Sequence, residues 1–226
     1  MKINLGKYVF EINRFLKDTN SEKDRYQSYQ KRFVKFNIHR NSKVLDIGSG
    51  WYPFLQATVF ADIDSKESEL REAGLLKGGR RFVRCSVEKT PFKNKEFDFV
   101  YCSHVLEHTA DPARACEEIM RIGKRGYIET PTKTSDIMMN FLGLKEHRWH
   151  VLLLDKTFFF FEYNKKEKYD TGISKFFEYL HSDFENPFKS LFQENRKLFD
   201  NMLLWRKKFY YYVFNKQGIL LATNRK

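Results

Sequence analysis

The feature that most constrains the fold is a short apolar run, Lys43 to Ile47, that ends directly in Gly48-Ser49-Gly50. A run too short for a helix and entering glycines reads as a buried strand followed by a tight turn. Thr58 to Ala61, Arg81 to Cys85, Phe97 to Cys102 and Gly126 to Glu129 read as four more strands, the last stopped by Pro131. Between them, residues 66–73 suit a helix, and Asp111 opens another through about Arg121 with Pro112 at its first turn. Strands alternating with helices predict the α/β class, a Rossmann-like, doubly wound and mostly parallel sheet. Such sheets bind ligands outside the carboxyl ends of their strands, near the switch point. The loop after the first strand lies there.

The flanks read differently. Residues 5–18 and 21–37 suit two N-terminal helices, with Ser21 as a cap candidate ahead of Asp24. Late in the chain, Val151 to Leu154 and Phe158 to Tyr163 look like strands around Asp155-Lys156, and Lys208 to Phe214 and Ile219 to Ala222 like two more. Residues 173–181 and 187–204 look helical. This tail either completes the sheet antiparallel or forms a lid over it. The 226 residues suit one domain able to bury its own core.

Composition narrows the function classes. No apolar run approaches the roughly 20 residues of a membrane span, and the N-terminus lacks the apolar segment of a signal peptide. The three cysteines, Cys85, Cys102 and Cys116, form no CxxC pair, which argues against a disulfide framework or structural zinc and for reduced thiols in the cytoplasm. The net charge of +12 is spread along the chain. It suits an RNA, lipid or acidic-metabolite partner, or plain solubility, and no RNA-binding module is recognisable. The aromatic blocks Phe158 to Phe161 and Tyr210 to Tyr212 read as packed strands, with a homodimer surface or an apolar acceptor pocket as alternatives.

The loop itself carries chemistry. A dinucleotide site needs Gly-x-Gly-x-x-Gly to seat a pyrophosphate, and here Pro53 holds the sixth position. Asp46 at the loop's start suits a cationic ligand better. The second strand ends in Ala61-Asp62-Ile63-Asp64. A carboxylate there can accept both ribose hydroxyls of a nucleoside. Asp62 is the first choice and Asp64 the second, with helix capping near Ser65 as the alternative.

Val44-Leu45-Asp46-Ile47-Gly48-Ser49-Gly50, Asp62, Ser86-Val87-Glu88-Lys89-Thr90-Pro91-Phe92, Phe97-Asp98-Phe99-Val100 and Val105-Leu106-Glu107-His108 follow one another in order. Over roughly residues 40 to 133 this set resembles the class I S-adenosylmethionine-dependent methyltransferases of the methyltransferase type 11 kind. The resemblance implies S-adenosylmethionine as cofactor and a role for each matching residue. Asp46 would anchor the loop and approach the methionine amine. Gly48, Ser49 and Gly50 would admit the cofactor, and Asp62 with Ile63 would hold the ribose. Ser86 and Val87 would flank the adenine, and Ser103 and His104 would face the methyl donor. Three departures stand out: Tyr52 replaces a third glycine, the interval from Gly50 to Asp62 is short, and Ser86 replaces an aspartate, so it hydrogen-bonds less strongly.

The resemblance divides the chain into an N-terminal helical cap (1–40), a cofactor-binding core (41–133) and a segment for sheet completion and an acceptor lid (134–226). Methyl transfer needs donor and acceptor in line and, for a hydroxyl, removal of a proton. His104, directly after the fourth strand, is the best-placed base, with cofactor contact as its alternative role. Glu107 and His108 read as structural, and Glu129-Thr130-Pro131-Thr132 faces the site. His147 can close over the acceptor from a segment hinged at Gly143. His147 and His150 can share a helix face as metal ligands, but no third ligand pairs with them, so no metal is expected. The expected reaction is methyl transfer to a small-molecule or glycan acceptor at oxygen. An RNA or protein acceptor, or a cofactor-binding protein without catalysis, are the alternatives.

Overall fold

The computed structural model describes residues 25–50, 53–63, 80–138, 146–164, 192 and 194–226. Its central sheet contains β1 (Val44–Ile47), β2 (Val59–Asp62), β3 (Arg81–Arg84), β4 (Phe99–Ser103), β5 (Arg125–Pro131) and β8 (Asp200–Arg206). The strand order is β3-β2-β1-β4-β5-β8. All pairings are parallel except that of β5 with β8. This is the doubly wound, mostly parallel sheet expected, with its switch point between β1 and β4. Every residue of β1 and β4 is buried, as in a sheet covered on both faces.

Each face has its own cover. On one side Leu45, Ile47, Val100, Cys102 and Ile128 join a core with Ala115, Cys116 and Ile119 of the helix Pro112–Ile122. Asp111 caps that helix by accepting from the Arg114 amide at 3.0 Å, and Pro112 opens it. On the other side Val44, Phe60, Phe99, Tyr101 and Tyr127 meet Phe36 and Phe54. Phe36 is 1 % exposed, with its ring 4.7 Å from that of Tyr127. That burial corrects the expected helix through residue 37. The described part is helical over Arg25–Ser28, makes one 3₁₀ turn at Gln30–Arg32, and then unwinds so that Phe36 reaches the core.

The tail completes the central sheet and adds a second one. β8 completes the central sheet antiparallel. A second sheet, order β10-β9-β7-β6, is built from β6 (Trp149–Leu154), β7 (Thr157–Glu162), β9 (Tyr210–Phe214) and β10 (Leu220–Thr223). β6 and β7 form a hairpin across Asp155-Lys156, while β7 and β9 pair parallel. The chain thus leaves the second sheet after β7, enters the central sheet as β8, and returns as β9. Trp149, Val151, Phe158, Phe160, Tyr211 and Val213 point inward and merge with the core under Pro112–Ile122. Outward, Phe159 stacks on Tyr212 at 5.2 Å and Phe161 on Phe214 at 5.0 Å.

The expected helix over 187–204 is corrected as well. Among the described residues Phe192, Glu194 and Arg196–Phe199 are helical there, but from Asp200 the chain is a strand. Leu203 and Trp205 are buried while Leu204 and Arg206 are exposed. Pairing with β5 overrides helix propensity. The expected helices at 5–18, 66–73 and 173–181, together with Tyr52, Asp64 and Gly143, lie outside the described residues. Among those described, no helix is long and apolar enough to cross a membrane.

Candidate functional site

The turn after β1 is built for glycine. Gly48 has a φ of +75° and Gly50 one of +46°, backbone that side chains with a Cβ rarely adopt. A Cβ on Gly48 would also lie 2.2 Å from the Val105 side chain. The Gly48 and Ser49 amides both donate to the Ala61 carbonyl, at 2.7 and 3.3 Å, and so tie the turn to β2. Asp46, 1 % exposed, accepts from the Phe54 amide at 2.8 Å and fixes the chain beyond the turn. Asp62 accepts from the Gly50 amide at 2.9 Å and from its neighbour Ile63 at 2.7 Å. The Ser49 hydroxyl is buried with no hydrogen-bond partner among the described residues. A cofactor with polar groups fits such a turn.

A cleft of about 290 Å³ opens beside this turn. Of the residues expected to bind cofactor, Gly48, Asp62, Ile63, Ser86 and Val87 line it. Asp46, Ser49, Gly50, Ser103 and His104 are not among its lining residues. Cys85, His108 and Arg148 line it without having been expected there. Burial pushes the Cys85 thiol up to about 11, so it is no ready nucleophile.

A second polar centre lies at the carboxyl ends of β4 and β5. His104 leaves β4 with a φ of +56° and its amide donates to the Glu129 carbonyl at 2.9 Å. That left-handed conformation is uncommon for a residue with a side chain, and here it accompanies a ring set between two acids. Nδ1 lies 3.5 Å from Glu107 Oε1, and Nε2 lies 3.3 Å from Glu129 Oε1. Glu129 Oε1 also accepts from the Tyr29 hydroxyl at 2.6 Å and from Gln30 Nε2 and Ser103 Oγ, each at 3.1 Å, while Oε2 accepts from Tyr127. Burial pushes the Glu129 carboxyl up, but His104 and the hydroxyl donors outweigh it and hold it well below its ordinary value. Burial and Arg25 likewise push His104 down, but Glu107 and Glu129 outweigh them and raise it to about 9. His104 is therefore a cation at neutral pH.

Three elements the sequence did not connect close this centre. Arg25 donates to the Ser103 hydroxyl at 3.3 Å. The Arg196 guanidinium lies 4.0 Å over the Tyr29 ring and 3.2 Å from Asp200. Asp200 is pushed up by burial and by Glu129. Arg25, Tyr29, Gln30, Arg196 and Asp200 carry no local motif, so sequence reasoning missed them. Their buried charge was legible only as a surplus of polar residues flanking aromatics.

His147 is 6 % exposed in the segment that leads into β6. Its Nδ1 is 2.9 Å from Asp136, which belongs to the helix Lys133–Met138, and its ring centroid is 4.6 Å from that of His108. The expected pairing of His147 with His150 on a helix face is corrected. The two flank the start of a strand, and His150 turns outward to stack on Phe161 at 4.9 Å.

Residues 45–128 match the model of the methyltransferase domain family. An uncharacterized methyltransferase of Mycolicibacterium gilvum is 33 % identical over 96 residues, covering 38 % of this chain and 37 % of that one. One from a Mycobacterium species is 31 % identical over 90 residues, covering 37 % and 35 %. The chain spans well under half the length of these relatives. A solved S-adenosylmethionine-dependent methyltransferase from Mesorhizobium loti is 16 % identical, with a TM-score of 0.40, over 54 % of this chain and 57 % of that one.

Proposed function

We propose that this chain, whose residues 45–128 match the model of the methyltransferase domain family, transfers a methyl group from S-adenosylmethionine to a small-molecule or glycan acceptor, at oxygen. The observation that carries the reading is the cleft itself. It joins the glycine turn after β1, the carboxylate ending β2 and the Ser86-Val87 turn after β3 in one space. Those three positions suit the methionine, ribose and adenine parts of the cofactor in turn, and the bound cofactor supplies an electrophilic methyl. His104, Ser103 and Arg25 form a polar wall toward the acceptor. Below pH 9 His104 acts there as a hydrogen-bond donor that orients the acceptor. The outward aromatic stacks of the second sheet are the surface through which a homodimer would form.

A calorimetric titration tests the cofactor half: S-adenosylhomocysteine should bind and NAD should not. Asp62→Ala should weaken that binding by on the order of 1.5–3 kcal/mol, the scale of hydrogen bonds to a charged group. NAD binding without S-adenosylhomocysteine binding would overturn the reading. For the acceptor half, methyl-labelled cofactor incubated with metabolite, glycan and RNA fractions should label the first or second. Label confined to RNA or protein would replace the acceptor class.

A further inference from the structure

We propose that Glu107, His108 and His147 bind a divalent first-row transition ion through two imidazoles and one carboxylate, with a coordination position left open beside the cleft. Their ligand atoms all lie within 4.8 Å of one another. An ion with bonds of roughly 2.0–2.1 Å in tetrahedral geometry holds its ligands about 3.4 Å apart, a spacing close to that of this set.

Two observations besides proximity point to a ligand. Glu107 is fully buried, and beyond the 3.5 Å approach of His104 Nδ1 to Oε1 its carboxylate has no close donor among the described residues. A buried carboxylate so sparsely satisfied calls for a further positive partner. The nearby charges are imidazoles, with His104 Nδ1 at 3.5 Å and His108 Nε2 at 3.9 Å. The second observation is that both candidate imidazoles are already oriented. His147 Nδ1 meets Asp136 at 2.9 Å, and Asp136 accepts from the Tyr163 hydroxyl at 2.6 Å. His108 makes a hydrogen bond with the Glu146 backbone. Metal-ligating histidines are oriented through one ring nitrogen in this way, which leaves the other nitrogen's lone pair for the ion.

The expectation of no metal rested on finding no third ligand near His147. That ligand pair, Glu107-His108, sits in the turn after β4. The two segments are fastened together by the Arg148 amide donating to the Glu107 carbonyl at 2.7 Å. The site stands on these contacts and not on the methyl-transfer reading. Combined with that reading, the ion would hold an acceptor oxygen next to the cleft that His108 lines.

The test uses the whole protein, stripped with chelator and titrated with cobalt(II). One equivalent should bind, with the visible absorption of a four- or five-coordinate ion and no thiolate charge-transfer band, and zinc should displace it. His147→Ala and Glu107→Gln should each abolish stoichiometric binding, and Asp136→Asn should weaken it about 10–100-fold. Circular dichroism separates a lost site from a lost fold, and should the alanine variant not fold, the near-isosteric Glu107→Gln decides. The proposal is overturned by wild-type protein that binds no cobalt, by a thiolate band, or by undiminished binding in folded Glu107→Gln. Failure to bind S-adenosylhomocysteine would sink the methyl-transfer reading and leave the metal result intact.

Discussion

The two sheets solve the same packing problem with opposite materials. In the central sheet the strand ends carry function: Asp46, Asp62, Ser103 and Glu129 stand at or near carboxyl termini, where turns and polar groups gather. In the second sheet the strand faces carry the identity of the element, with alternate residues apolar both inward and outward. The inward set, Phe158, Phe160, Tyr211 and Val213, belongs to one core with Leu203 and Trp205 of β8. The two sheets therefore differ in what they display and share what they bury.

The largest effect expected from that shared core is on Phe160, which is fully buried. Phe160→Ala should cost about 3–5 kcal/mol, read by urea denaturation as one lowered transition. Two separate transitions, with the central sheet unaffected, would show that the sheets are independent and break the comparison at its base.

Glu129 tests the polar strand ends. Glu129→Gln keeps the shape but leaves His104 Nε2 without its nearer carboxylate, and should cost on the order of 3 kcal/mol at neutral pH, the scale for a broken buried pair. A loss below about 1 kcal/mol would mean that the centre is wetter than its burial indicates.

His104 sharpens the same point by titration. Its ordinary value is 6.5 and the folded protein raises it to about 9. The stabilisation is fully present below pH 6.5 and is lost as pH rises through about 9. Over that window stability should fall by up to about 1.4 kcal/mol per pH unit, and His104→Gln should lack this slope. Equal slopes in both proteins would remove His104 from the charge pair.

The smallest effect belongs to the outer face of the second sheet. Leu154 is 66 % exposed, so Leu154→Ser should change stability by no more than about 0.5 kcal/mol. A larger loss, reversed on dilution, would instead mark the face as buried between two copies of the chain.

The sequence was legible where local chemistry and tertiary position coincide. Gly48 announces its turn because that backbone admits little else, and Asp111-Pro112 announces its helix because cap and first turn are fixed by adjacent residues. β8 was misread because Asn201, Met202, Leu203 and Leu204 tolerate a helix, and only the open edge of β5 makes them a strand. Tyr29, Gln30 and Arg25 could not be tied to Glu129 from spacing, since contacts between distant segments leave no periodic trace. Glu107 and His108 were seen, yet their nearness to His147 depends on the hairpin β6–β7 docking against the turn after β4.

The exchange of the chain between sheets also bears on how the protein is made. β5 leaves the ribosome long before β8, and until residue 206 emerges its outer edge has no partner strand. Because β7 and β9 flank β8 in sequence yet pair with each other, the second sheet cannot be finished before the central sheet has its last strand. Until β8 follows, the nascent chain carries an open strand edge, a site for unwanted pairing. A stalled or truncated product ending between β7 and β8 would expose that edge and half of an aromatic sheet together.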